Sequence, residues 1–282
     1  MNPTNFVLIA ILILCAAASN TLAQDTPSVR ILLLTKSSGF QHSVIKNDDS
    51  GTSHVERIMT PIVKEMGGTI LCTKDASQVN AESLKNYDVV IFYTSGVLTE
   101  VGEDGNPAMT AEGLEALFAW IRNGGGFIGF HSATDSFRSS GDTPTPYIEM
   151  IGGEFVKHGA QFKGTIKKVS KEHPAATSLP ETWPLRDEWY LFRLLNTKTM
   201  HVIAMLEIGK ERDKQEIYNI PDYPMIWCSA YGEGRVLYNG MGHREDVWEH
   251  DTFKAMLKGH ILWAKGEGAL NAEPNCESLG VK

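Results

Sequence analysis

The chain has 282 residues, 42% of them hydrophobic and 21% charged, with a formal net charge of −8. That length suits one elaborated α/β domain, and the apolar share is enough for a real core. An acidic chain with no basic block is poorly matched to a phosphate backbone, which argues against nucleic acid as a partner; it would suit a neutral or cationic ligand.

Residues 6–18 form an apolar run, and Thr21-Leu22-Ala23 places small residues where signal peptidase needs them. The expectation is a signal peptide over 1–23 and a periplasmic or secreted protein. The run is short for a membrane span, so no stable membrane insertion is expected after cleavage. Residues 24–29 then form a short N-terminal segment, 30–265 the folded domain, and 266–282 a polar tail expected to be loosely held. Cys15 leaves with the signal. The remaining Cys72, Cys228 and Cys276 are odd in number and match no zinc-module spacing. Cys72 and Cys228 sit in apolar runs and read as small buried hydrophobes.

Apolar run 30–35 predicts a strand buried on both faces of a parallel sheet. Ser53 with Glu56 three residues on predicts a capped helix with Val55, Ile58, Met59, Ile62, Val63 and Met66 on one side. Ile70-Leu71-Cys72 and the run 87–93 predict two more strands. Thr110 caps a second helix carrying Leu114, Leu117, Phe118 and Ile121, which Gly124-Gly125-Gly126 ends before a fourth strand, 127–130. This alternation predicts right-handed crossovers and a flavodoxin-like three-layer αβα sandwich with a mostly parallel sheet. The second half is less regular. Strands are expected at 162–169 and 201–208, and a hairpin is expected around Gly232-Glu233-Gly234. One final helix has Trp248, Phe253, Met256, Leu257, Ile261 and Leu262 on its apolar face.

Ligands of such sheets bind beyond the carboxyl ends of the strands. That rule brings His42, Ser95 and His131 to one rim, because each follows a predicted strand. His131 stands at a sharp strand exit between small residues, where related folds hold an exposed nucleophile. Imidazole there can serve as a general acid or base or as a metal ligand. His243 follows a later strand after Gly240-Met241-Gly242. Glu188 and Asp187 lie beside Trp189 and Tyr190, Asp187 being equally readable as a turn cap. Catalytic candidates are therefore His42, His131, Glu188 and His243. Substrate-binding candidates are Ser95, Asp135, His158, Asp187, Trp189, Tyr190 and Trp227, the aromatics as stacking surfaces for sugar rings. His173, before Pro174, reads as a surface turn residue. No phosphate-cradling glycine motif is present.

The stretches Gly39-Phe40-Gln41-His42, Gly124 through Ala133, Gly152-Gly153-Glu154-Phe155 with His158, His173-Pro174, Asp187-Glu188-Trp189-Tyr190 and Gly232 through Val236 with Gly242-His243 occur in an order and spacing that resembles the ThuA-like (trehalose-utilisation) family. The resemblance covers nearly the whole chain after the signal. It implies a fold similar to class I glutamine amidotransferases and a carbohydrate ligand, such as trehalose, a related disaccharide or an oxidised sugar. The amidotransferases place Cys at the strand exit, with a late His-x-Glu. Here His131 replaces the Cys, so glutamine hydrolysis is not expected, although His243-Arg244-Glu245 keeps the late pattern superficially.

The leading expectation is hydrolysis or isomerisation of a sugar by acid–base chemistry at the four catalytic candidates. A second version has His42, His131 and His243 help hold a divalent metal such as zinc. The alternative from another class is a non-catalytic carbohydrate-binding protein resting on the aromatics. An acyl-transfer hydrolase using Ser132 or Ser95 ranks last.

Overall fold

A computed structural model describes residues 28–282. The expected signal peptide and most of the segment after it lie outside the described residues. No helix among the described residues is long and apolar enough to cross a membrane.

The strands are β1 (Arg30–Leu34), β2 (Thr69–Thr73), β3 (Val89–Phe92), β4 (Gly126–Phe130), β5 (Glu154–His158), β6 (Phe162–Lys168), β7 (Thr182–Asp187), β8 (Tyr190–Arg193), β9 (His201–Glu207), β10 (Tyr223–Tyr231) and β11 (Gly234–Asn239). The helices are α1 (His54–Glu65), α2 (Ala111–Arg122), α3 (Pro146–Ile151), α4 (Glu245–Glu249) and α5 (Asp251–Lys265). One nine-stranded sheet has the order β2-β1-β3-β4-β11-β10-β9-β6-β7, and β5 pairs with β8 in a separate ribbon. The first five neighbours run parallel. The last four alternate antiparallel, so β9 and β7 again point the way of the first five.

Strand periodicity makes the three layers. Ile31 and Leu33 face one core with Val55, Met59 and Val63 of α1 and Phe253, Met256 and Leu257 of α5. Leu32 and Leu34 face the other, with Leu117, Phe118 and Ile121 of α2 and Ile148 and Ile151 of α3. Helix starts follow their caps: Ser53 accepts from the Glu56 N–H at 3.2 Å and Thr110 from the Gly113 N–H at 3.0 Å. The triple glycine is a connector, as expected. Gly124 takes φ +105° to end α2, and a Cβ on Gly126 would lie 2.3 Å from the Ala264 carbonyl oxygen of α5.

Several elements differ from expectation. β7 alternates exposed and buried side chains, but Pro184 obscures it in the sequence; the strand lies at the sheet edge, where proline is tolerated. The final helix is two. It breaks at His250, whose Nδ1 accepts from the Thr252 N–H to cap α5, and Leu262 faces solvent rather than the core. Cys72 lies on edge strand β2 and is only half-buried, whereas Cys228 in β10 is fully buried. The tail is pinned rather than loose. Asn275 accepts from the Val202 N–H at 2.7 Å and donates to its carbonyl at 2.9 Å, as a neighbouring strand would, and Cys276 is buried.

His173 is likewise not on the surface. It is fully buried, its Nδ1 accepting from the Ala175 N–H at 3.1 Å and its Nε2 donating to Cys228 Sγ at 3.3 Å. His260 of α5 donates from Nδ1 to the Ala175 carbonyl at 2.9 Å and accepts from Asn239 at 3.2 Å. Both rings are therefore neutral structural links. Burial, with His201 nearby, pushes His173 down to about 3, and burial pushes His260 down to about 4. Below pH 6.5 the unfolded chain takes up these two protons while the folded chain does not. Their contribution to stability is complete above 6.5 and is lost as pH falls toward 3–4, with a slope of up to about 1.4 kcal/mol per pH unit for each. Urea unfolding at pH 7 and pH 5 is expected to show this fall. Gln at both positions makes the fall shallower; an unchanged slope in that variant assigns the dependence to other groups.

Candidate active site

The site is assembled from strand ends. β1, β3, β4 and β11 are mutually parallel, so the loops leaving their carboxyl ends share one rim. His42 precedes the 3-10 turn Ser43–Ile45 after β1. His131 directly follows β4 and opens the turn His131–Asp135 with φ +39°, a conformation that few residues with a Cβ adopt. His243 follows β11. Glu188 follows β7, which starts at the far edge of the sheet but returns to this rim, where Asp187 Oδ2 accepts from the Gly242 N–H at 2.7 Å.

The four catalytic candidates converge. One ligand atom from each of His42, His131, Glu188 and His243 lies within 4.8 Å of the others. Glu188 Oε2 is 3.1 Å from His243 Nδ1 and 3.4 Å from His131 Nε2, and its Oε1 is 3.2 Å from His158 Nδ1. Yet the carboxylate is not aligned for a hydrogen bond with His131 or His243. His42 Nδ1, His131 Nε2 and His243 Nδ1 are all buried without a hydrogen-bond partner. The opposite nitrogens of His131 and His42 are engaged: His131 Nδ1 is 3.1 Å from the Gly240 carbonyl, and His42 Nε2 is 3.2 Å from the Tyr190 hydroxyl. The Gly240 contact puts the His131 proton on Nδ1 and leaves a lone pair on Nε2.

Burial dominates the electrostatics. It pushes His42 down to about 2, with His131 and His243 adding to the effect, and it lowers His131 despite Glu188 beside it. Burial also opposes charge on Glu188 and His243, but their proximity prevails. Glu188 is held well below the usual carboxylate range by His131 and His243, and His243 is raised by Glu188. The result is one anion facing two neutral imidazoles and one that favours its proton.

The other expected residues divide into three groups. Tyr190 and His158 join the cluster: the Tyr190 ring lies 4.1 Å from that of His131, and His158 stacks on Tyr190 with its side chain 42% exposed. Asp187, Ser95 and Asp135 stand behind or beside it. Asp187 is fully buried, and burial against its backbone N–H partners Gly242 and Glu188 pushes it up to about 7. It positions the site rather than meeting a ligand. Ser95 donates to the Phe40 carbonyl at 2.7 Å. Asp135, pushed up to about 6 by burial, flanks the rim 3.6 Å from Arg138. Trp189 and Trp227, expected at the ligand, are core residues instead, donating to the Phe162 and Ile151 carbonyls.

Sequence reasoning passed over Tyr93, Trp248 and Phe155. Tyr93 and Trp248 both donate to the Gly242 carbonyl, at 3.0 and 2.7 Å, and fix the His243 loop. Tyr93 directly follows β3, so the strand-exit rule could have found it. Phe155 lies 3.9 Å from the Tyr190 ring; the Gly152–Phe155 stretch with His158 marks its neighbourhood in the sequence without singling it out. Chemistry, not size, marks this place: a groove of about 590 Å³ between α1, α5 and Pro174 holds none of these residues.

Thiol and hydroxyl nucleophiles are not set up here. Cys72, Cys228 and Cys276 are free, and none lies at the strand exit. Ser95 Oγ is committed to Phe40, and Ser132 Oγ is buried with no partner to activate it. Glu245 accepts from Ser43 at 2.6 Å, so the carboxylate paired with His243 is Glu188 and the late His-x-Glu is superficial.

Fold and site together define a three-layer α/β sandwich, consistent with the glutamine amidotransferase-like kind, with an imidazole at the β4 exit. The chain belongs to the ThuA family, described as trehalose utilisation, which it matches over residues 30–264, and that membership implies a role in trehalose utilisation. Among solved structures it is similar to a ThuA-like protein of Bacteroides uniformis at 20% identity, covering 88% of this chain and 96% of that one, with TM-score 0.66. A ThuA-like protein of Parabacteroides merdae is similar at 16% identity, with coverage of 84% and 90% and TM-score 0.62. Both likenesses establish the fold. No curated protein matches the chain.

The thiols should be inert as nucleophiles. Burial pushes Cys72 up to about 12 and Cys228 higher still. Incubation with glutamine is expected to release no ammonia, and a glutamine-directed thiol reagent is expected to leave Cys228 unlabelled. Ammonia release abolished by Cys228→Ala or Cys72→Ala would overturn this.

Proposed function

We propose that this protein acts on a disaccharide of the trehalose type, or an oxidised form of it, by hydrolysis or isomerisation, and that His42, His131, His243 and Glu188 hold a divalent cation such as zinc. One observation carries the reading: three buried imidazole nitrogens with no hydrogen-bond partner gather around one carboxylate. A buried polar atom left unpaired costs about 1–3 kcal/mol. Glu188 meets His131 Nε2 and His243 Nδ1 as a charge contact only, and His42 Nδ1 has no such contact, so the arrangement is costly unless something else binds there. Neutral imidazole and carboxylate are the donors zinc prefers, and burial favours the neutral form at His42 and His131.

When bound, such a cation would supply Lewis acidity toward a carbonyl or hydroxyl oxygen of the sugar. The chain's own residues do the rest. The Gly240 carbonyl and the Tyr190 hydroxyl set the ring orientations of His131 and His42. Asp187 ties the Glu188 backbone to the His243 loop. His158, the most exposed histidine of the group, sits at the mouth, where it can donate a hydrogen bond to a sugar hydroxyl. The binding-protein alternative draws on Trp189, Tyr190 and Trp227, all three of which are buried, so its stacking surface is withdrawn.

Elemental analysis of the purified protein is expected to give about one divalent ion per chain. His131→Ala should lose it with circular dichroism unchanged, and Asp187→Asn should weaken its binding about 10- to 100-fold. Protein free of metal that still turns over sugar at the full rate sinks the metal reading and leaves acid–base chemistry at the same residues. We also propose export, on the strength of the apolar run 6–18 and Thr21-Leu22-Ala23. N-terminal sequencing of protein from the host's exported fraction should begin at Gln24; an intact Met1 there rules cleavage out.

A further inference from the structure

Phe40 is the one aromatic among the large exposed apolar side chains of the described residues, at 66% exposure. It is also the aromatic whose ring meets the cluster from outside. Its ring packs edge-on against His42, with centroids 4.9 Å apart. The other aromatics around the histidines have no free face to offer. Tyr93, Tyr190 and Trp248 are buried, and Phe155 is sandwiched between Tyr190 at 3.9 Å and the Arg138 guanidinium at 5.8 Å.

The loop that carries Phe40 is held firmly. Ser95 Oγ donates to the Phe40 carbonyl at 2.7 Å, and the Ser95 carbonyl accepts from the Ser38 and Gly39 N–H groups at 2.9 and 3.2 Å. Gly96, at φ +77°, lets the two loops close; a Cβ there would lie 2.4 Å from the Gly39 nitrogen. Ser38 Oγ donates to the Glu100 carbonyl at 3.1 Å, fastening a second loop that exposes Val97 and Val101. Beneath it, buried Lys36 donates to Asp104 at 3.0 Å and to the Asn106 carbonyl at 2.8 Å. An apolar ring exposed on a mobile loop would lose freedom on meeting a ligand. A ring held this way loses little, and pre-organisation of this kind is what raises affinity.

Building on the sugar reading above, we propose that Phe40 is the platform of a second sugar subsite. Its electron-rich face takes the C–H face of the pyranose ring that does not enter the His42–His131–Glu188–His243 cluster. The four ligand atoms, all within 4.8 Å of one another, leave room for a single functional group of the substrate. A disaccharide must therefore place its other ring outside the cluster, and Phe40 stands one ring-width beyond His42. Few polar groups that fix orientation, beside an apolar wall that supplies area, is the usual division of labour in a small-molecule site. The subsite makes the protein selective for disaccharides over monosaccharides. Ser95 serves it indirectly, as the residue that positions the Phe40 backbone.

Isothermal titration of the intact protein with trehalose and with glucose tests this, with metal content measured alongside. Phe40→Ala is expected to weaken trehalose binding about tenfold, leave glucose binding unchanged and leave bound metal unchanged. Phe40→Trp restores the trehalose affinity. Unchanged trehalose binding in Phe40→Ala, or equal losses for the two sugars, overturns the subsite while leaving the sugar reading standing. Wild-type protein that binds neither sugar overturns the sugar reading, and the subsite with it.

Discussion

A carboxylate almost wholly withdrawn from water has to be compensated, and much of this molecule is arranged around meeting that requirement at Glu188. The residue comes from the antiparallel half of the sheet, whereas the imidazoles His42, His131 and His243 around it follow strands of the parallel half. Neither half makes a site alone. The parallel strands supply a rim with three imidazoles on it, and the returning β7 supplies the negative charge that makes their grouping tolerable. Asp187, one residue earlier, spends both carboxylate oxygens on backbone N–H groups, so that the Glu188 and His243 segments are fixed to each other rather than merely near.

The parallel half was legible because its physics is local. Continuous apolar runs such as 30–35, caps such as Ser53 and Thr110, and glycines at helix ends each announce themselves within a few residues. The rule that parallel strands release their loops on one rim then converted three separate histidines into a cluster. The antiparallel half was less legible for equally local reasons. β7 carries a proline, and the β5–β8 ribbon is short and bulged. The tryptophans show where local reading stops. Trp189 sits between Glu188 and Tyr190, both at the site, yet in the two-residue link between β7 and β8 its ring turns into the core and donates to the Phe162 carbonyl. His173 was misplaced because a His-Pro pair looks like a surface turn whether or not a helix packs over it. Here α5 does, and His260 with it.

The elbow at His131 separates pose from chemistry. The backbone there is held at φ +39°, the strained exit that in related folds lifts a nucleophile clear of the sheet. The same turn here lifts an imidazole whose Nε2 is left unpaired. The scaffold dictates where a side chain will stand, and the side chain dictates what is done there.

Glu188, Asp187 and Tyr190 all lie at the junction of β7 and β8, and each grips a loop of the other half: Glu188 the histidines, Asp187 the Gly242 amide, Tyr190 the His42 ring. The site is therefore also a clasp. If the β6–β7 margin peels away in a partial opening, all three grips release in the same event, and the histidines lose their charge partner, their loop anchor and a ring contact together. Such a clasp leaves no half-open form with the cluster intact, so the gathering of these residues depends on the two halves holding together as one cooperative unit.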